Sequence, residues 1–510
     1  MKTRINMKEK RESFTIQALS GSIWNFFALI FQRAGALIFT IIIARFLLPE
    51  GFGLYNLILS IALTFTVLSE RGINESLIRY LSETLEKKAK ARNFFKYILK
   101  LKLVILISFL VILGIAAYPL SVYFFKKPVI FIPLLFAILY VFVFSLDSFF
   151  SSYFFAAKKV KYVAQKETLY QILRIVLILG VFYVIRPTSP LSHIFVALTF
   201  ASLITLIFVI ANVYKYSPYL FEKSDKIKEF DKKRINNFIS YFTITSISFV
   251  ILGNIDTIML GYFIDSAESI GLYRAAFTLS SSIAGLLGFG TVLLPLFIKM
   301  KDKQLQRAFN RVFRYTMIVA VPISFGLAIL GNYFLTFIFG VEYIDAKWPL
   351  YVLAFLIILG VQVSLFVYLF LTKERPKDYL SLLIGVIILD IILNFIFIKI
   401  FLNYSTNLVI TGVALASLIS WLVYSIGIGI MSRTRLNIKV NGYVIIKPLI
   451  AAIVMSLAIL YIKSNVNVGI INGIILILVG AVIYFASLFI LKALRKEDLY
   501  LIKDVIKLLR

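Results

Sequence analysis

Residues 24–55 read WNFFALIFQRAGALIFTIIIARFLLPEGFGLY, an apolar run long enough to cross a bilayer with Gln32 and Arg33 near its middle. An arginine at membrane depth is costly, so it faces a bundle interior or a watery cavity rather than lipid. The run closes on Arg45, a Pro49-Glu50-Gly51 turn and the tripeptide Gly53-Leu54-Tyr55. The same tripeptide returns as Gly271-Leu272-Tyr273 after another apolar span. A polar-cored helix, a tight turn and a second copy of that turn predict a two-lobed helical bundle with a charged interior.

Working outward, the whole chain has this character. Of its 510 residues 61% are hydrophobic, which excludes an assembly of soluble domains. Runs of roughly 20 apolar residues, each able to span ~30 Å of hydrocarbon, recur from end to end. Lipid leaves backbone groups no water to bond, so such spans must be helices. The expected class is an all-α polytopic membrane protein. Without cysteine the chain has no disulfides and no thiolate metal sites. The single histidine, His193, is expected in an exposed loop near Pro190. The opening residues MKTRINMKEKRES are basic, and the apolar run behind them is too long for a cleaved signal. The net charge of +29 suits an anionic partner, but basic loops on one membrane face explain most of it, and no nucleic-acid partner is expected.

Fourteen spans are predicted, at about 20–47, 51–81, 94–117, 128–157, 167–186, 190–214, 236–263, 268–298, 312–340, 347–372, 378–401, 405–432, 443–463 and 467–491. With both ends in the cytoplasm, this count puts Lys87, Lys88, Lys158, Lys159, Lys226, Lys301 and Arg433 on the inner side. The outer loops keep only a few charges, such as Lys127 and Arg186. That asymmetry follows the positive-inside rule, and one missed helix would invert every later loop. The connector 215–235 separates a first lobe (1–214, spans 1–6) from a second (236–432, spans 7–12), and 433–510 adds spans 13–14 and a basic cytoplasmic tail. Because each repeat has an even number of spans, the lobes would share orientation and relate by a pseudo-two-fold axis along the membrane normal.

No outer loop is long enough for a catalytic domain, and no nucleotide-binding loop or paired-histidine helix occurs, which argues against an enzyme such as a glycan ligase. Two stretches carry a resemblance. Leu19-Ser20-Gly21-Ser22-Ile23-Trp24 followed by Ala44-Arg45-Phe46-Leu47-Leu48-Pro49-Glu50-Gly51-Phe52-Gly53-Leu54-Tyr55 resembles the opening of the Wzx-type polysaccharide-biosynthesis flippases. Ile270-Gly271-Leu272-Tyr273-Arg274-Ala275-Ala276 resembles the start of their span 8. These proteins belong to the superfamily that also holds MATE exporters and the lipid II flippase. The resemblance implies a monomeric pair of six-helix lobes in the cell membrane, working by alternating access. Its cargo would be a polyprenyl-phosphate-linked oligosaccharide, with glycan polymerases or ligases as partners and no cofactor.

The resemblance also assigns roles. Arg33 on span 1 and Arg274 on span 8 match lumen arginines that bind pyrophosphate in lipid II flippase relatives, with Gln32 and Arg45 beside them. A guanidinium suits that task because it stays charged and offers a planar fork to phosphate oxygens. Asp147 and Arg174 fall at similar depth on spans 4 and 5 and are expected to form a structural ion pair. Asp256 on span 7, Asp390 and Asn394 on span 11 and Thr411 on span 12 offer oxygen ligands for a coupling ion, Na⁺ or a proton carried on the acids. No other metal is expected. The alternative to a flippase is a MATE-like exporter of organic cations, which should carry acids where span 1 carries Arg33.

Overall fold

The structure, a computed structural model, describes residues 2–223, 232–287, 297, 300–373, 375–465 and 470–493, with backbone alone before Phe31. Its regular elements are all helical: α1 (Lys2–Thr84), α2 (Lys88–Pro119), α3 (Phe131–Ala156), α4 (Lys161–Gly180), α5 (Pro190–Tyr216), α6 (Lys232–Phe263) and α7 (Ala267–Leu287). There follow α8 (Asp302–Ile338), α9 (Lys347–Leu353), α10 (Leu356–Thr372), α11 (Pro376–Phe401), α12 (Thr406–Arg435), α13 (Tyr443–Asn465) and α14 (Ile470–Ile490). Large apolar side chains lie on the outside, among them Ile115, Val184 and Phe489. Hydroxyls inside the helices bond back to their own backbone, as Thr40 does to the Ala36 carbonyl at 2.8 Å and Thr66 to Ala62 at 2.6 Å. An apolar exterior with internally satisfied polar groups is what lipid demands.

The opening stretch folds as one 83-residue helix broken at a single residue. Unbroken, it would run for roughly 125 Å, several bilayer thicknesses. The break is Leu48, with φ 58° and ψ 175°. Proline disfavours the α conformation in the residue before it, and here Leu48 leaves the helix ahead of Pro49. The turn expected over Pro49-Glu50-Gly51 is therefore made at Leu48. Contacts show that the chain reverses there. On the first arm (residues 2–47), Arg174 of α4 lies over Phe39 and Phe182 stacks on Phe46, so the arm runs parallel to α4. On the second arm (residues 49–84), Lys102 meets Glu70 at 3.2 Å and Phe94 meets Tyr80, so that arm runs antiparallel to α2.

By length and composition, twelve helices among the described residues can cross a membrane, or thirteen when α9 and α10, bent by 47°, count as one broken span. The expected fourteen is reached only when the two arms of α1 are counted separately.

The chain divides into two compact units, Met1–Arg274 and Ala275–Arg510, with the division inside α7. In the first unit, the second arm of α1 packs antiparallel to α6. The Ser60 hydroxyl donates to Asn254 at 3.0 Å, and Gly72 abuts the backbone of Ile239 and Thr243. At the Leu48 end the repeated tripeptides meet. A Cβ on Gly53 would overlap the Ala267 carbonyl, and one on Gly271 would overlap the Pro49 carbonyl. Glycine is required at both positions because backbone, not a flexible side chain, occupies the space. Beside this contact Lys127 is buried and donates to the carbonyls of Gly261 at 3.0 Å and Ile264 at 2.8 Å, closing the end of α6. Burial pushes its ammonium below the usual lysine range, against the pull of Asp265.

In the second unit, α11 and α12 form an antiparallel hairpin, with Gly412 against Phe397 and Phe401 and Gly427 against Leu382. The last two helices dock on α8. Lys463 of α13 donates to the Ile329 carbonyl, and Tyr484 of α14 donates to that of Ile318, both at 2.9 Å.

Candidate functional site

The charged interior of the first unit is built on α4. Lys166, Tyr170 and Arg174 recur every four residues and so share one face of that helix. Helices α3 and α4 are antiparallel, and their register pairs the Tyr140 and Tyr170 hydroxyls at 3.1 Å and Asp147 with Lys166 at 2.5 Å. Lys166 also holds Glu167 at 3.0 Å. The expected Asp147–Arg174 pair does not form. Arg174 lies two helical turns beyond Lys166, roughly 12 Å along the axis, where α3 carries no acid. Its guanidinium sits instead over the rings of Phe39, 4.3 Å from the centroid, and Tyr170, at 5.3 Å. Sequence reasoning passed over Lys166, Tyr140 and Tyr170, although the four-residue recurrence on α4 was there to find.

Arg33 is half-buried on the first arm of α1, with Gln32 exposed beside it. Arg45 is exposed, three residues before the break. Arg274, half-buried on α7, donates to the Asn56 side chain at 3.3 Å and to the Gly253 carbonyl and Thr257 hydroxyl at 3.4 Å. These three acceptors are neutral, while the charge of Asp256 on α6 acts on the same guanidinium. Arg33 and Arg274 sit at different depths. Measured along the arms from Leu48, Arg33 lies roughly 22 Å away, while Asn56, which holds Arg274, lies roughly 12 Å away.

The four residues expected to hold a coupling ion fall in both units. Asp256 belongs to the first, where it is buried and accepts the Tyr273 hydroxyl. Asp390, Asn394 and Thr411 belong to the second. Asp390 and Asn394 lie one turn apart on α11, both almost fully buried, and the Thr411 hydroxyl donates to the Asn407 carbonyl at 2.6 Å. The hairpin contacts set Thr411 level with the Phe397–Phe401 turn. By that register Ser417 and Ser420 of α12 fall at the height of Asn394 and Asp390.

Comparison with known proteins then fixes the family. The family model described as polysaccharide biosynthesis protein matches residues 18–301, more than half of the chain. The chain belongs to that family. An uncharacterised membrane protein of Methanocaldococcus jannaschii is 24% identical over 368 residues, covering 67% of this chain and 71% of its own. Among solved structures, the lipid II flippase MurJ in an inward closed conformation superposes with a TM-score of 0.64 at 16% identity, over 93% of this chain and 98% of MurJ. A multidrug-resistance MATE transporter in an inward-facing conformation gives 0.57 at 16% identity, over 79% of this chain and 96% of that one. A further superfamily transporter, from Pyrococcus furiosus and described as having a binding pocket of reversed polarity, gives 0.54 at 16%, over 82% and 95%. At these identities the likeness establishes the fold. This member of the polysaccharide biosynthesis family is a multi-pass membrane protein with the fold of those structures.

Proposed function

We propose that the chain is a flippase that carries a polyprenyl-phosphate-linked oligosaccharide from the cytoplasmic to the outer leaflet of the cell membrane. Two six-helix lobes, 1–214 and 236–432 joined by 215–235, would alternate access to the cargo, with both termini in the cytoplasm. The observation that carries this reading is the sign of the intramembrane charge. Arg33 and Arg274 stand at two depths, and Arg274 is oriented by neutral acceptors with Asp256 within electrostatic reach. An exporter of organic cations needs acids there, whereas a phosphate head group needs guanidinium forks. The two depths suit stations that a head group would meet in turn as it crosses. Arg33 is nearer the predicted cytoplasmic side and Arg274 nearer the outer one.

The test is glycan export in cells whose own copy is deleted. Arg33→Ala should abolish export at unchanged protein level, and Arg33→Lys should restore only part of it because the planar fork is lost. Normal export by Arg33→Ala would remove this reading. Loss of resistance to organic cations with export intact would favour the MATE-like alternative.

A further inference from the structure

We propose that Arg174 anchors a further anion site within the first unit, one that takes a phosphate-type oxyanion. The starting point is a buried charge whose balance is missing. Arg174 is only 9% exposed, and among the described residues neither Nε nor Nη2 has a hydrogen-bond partner. Those two nitrogens form one edge of the guanidinium, the edge that grips two oxygens of a phosphate or carboxylate side by side. The nearest intramembrane acid on a neighbouring helix, Asp147, is already held by Lys166.

Among the described residues of the helices packed on α4, no further acid stands at this level, Glu50 being exposed. Residues 31–49 and 51–69 of α1, 131–146 of α3 and 190–221 in and beyond α5 contain no Asp or Glu. An unneutralised guanidinium in so apolar a bundle is strongly disfavoured, so its retention points to a charge supplied from outside the chain.

The surroundings are those of a receptor for such a charge. Phe39 and Tyr170 hold the guanidinium against their rings, and its Nε–Nη2 edge is buried without a hydrogen-bond partner among the described residues. The Tyr140 and Tyr170 hydroxyls bond one another, which uses one of their two protons and leaves the other to donate. Gln171, next on α4, is pressed against Gly35 so closely that a Cβ on Gly35 would lie 2.6 Å from its side chain. A fork, a hydroxyl and an amide thus stand on adjacent turns of α4 and on α3. That set selects an oxyanion and repels Na⁺ or a proton. Two sources share this chemistry, free inorganic phosphate and the phosphate of a lipid head group.

The test uses the purified full chain in nanodiscs of phosphatidylcholine, in an Arg33→Ala, Arg274→Ala background that removes the other proposed phosphate contacts. Thermal stability is titrated with inorganic phosphate against ionic-strength-matched chloride, and in parallel with phosphatidic acid built into the disc. Phosphate should stabilise the protein saturably. Arg174→Met should weaken that effect at least about tenfold, the value of a bidentate charged contact. Arg174→Lys, which keeps the charge and serves if the methionine variant does not fold, should weaken it by less, and Tyr140→Phe by a few-fold. Stabilisation by phosphatidic acid alone, with the same dependence on Arg174, supports the site with a lipid head group as its source. If neither phosphate nor phosphatidic acid stabilises in an Arg174-dependent way, Arg174 is a packing residue held by its ring contacts, and the proposal fails. This outcome is independent of export by Arg33→Ala, so either reading can fall without the other.

Discussion

Asp390 and Asn394 are almost wholly buried in the second unit, and an ionised carboxylate there must be compensated by protein groups, a proton or a cation. Our reading is that Asp390 and Asn394 bind the coupling ion; Thr411, level with Phe397–Phe401 and bonded to the Asn407 carbonyl, lies too far along the hairpin to share their site. Asp390→Asn then should lower transport and flatten its dependence on Na⁺ or pH. A dehydrated cation needs the carboxylate charge, while a hydrogen bond between helices survives an amide. Transport by Asp390→Asn with unchanged ion dependence would make the residue structural. Individual charges were the hardest thing to place from sequence. Asp147 and Arg174 fall at matching depth on paper, yet a register offset of two turns gives Asp147 to Lys166 and leaves Arg174 among rings. Depth along a span is legible in the sequence. The facing of two helices is not, because it depends on packing that no single helix encodes.

At the scale of elements, the repeated Gly-Leu-Tyr was legible as a repeat, but not as a contact. Its two glycines abut one another: Gly271 N lies 2.8 Å from where a Gly53 Cβ would stand, and Gly53 N lies 3.1 Å from that of Gly271. The helix break was half legible. Pro49 announced a turn, and the structure confines it to Leu48. The prediction at this scale is a contrast between two glycine substitutions. Gly53→Ala pushes a methyl into the Ala267 carbonyl, and overpacking of that kind costs about 1–3 kcal/mol. Gly114→Ala in α2 meets nothing within 4 Å and should gain up to about 1 kcal/mol of helix propensity. Thermal denaturation in detergent should therefore lower Tm for Gly53→Ala and leave Tm unchanged or raised for Gly114→Ala. Two equal shifts would mean that the crossing of α1 and α7 is not held by glycine.

At the scale of the molecule, the all-helical membrane class follows from composition alone, whereas orientation rests on the asymmetry of Lys and Arg between alternate loops. That asymmetry is worth testing because the charge reading depends on it. If the two sides were exchanged, Arg33 would lie nearer the outside and the order of the two arginine stations would reverse. The chain has no cysteine, so single cysteines report without background. The structure changes which positions to use. Lys226 lies outside the described residues, and Lys127 is buried on the end of α6, where a cysteine would both hide from the reagent and strip three carbonyls of their donor. Lys87, exposed between α1 and α2, and Lys126, exposed between α2 and α3, stand at opposite ends of α2. A membrane-impermeant maleimide applied to intact cells should label Lys126→Cys at once and Lys87→Cys only after the membrane is opened. The reverse order would invert the molecule. Labelling of both from outside would mean that α2 does not span, and the loop assignment beyond it would have to be redrawn.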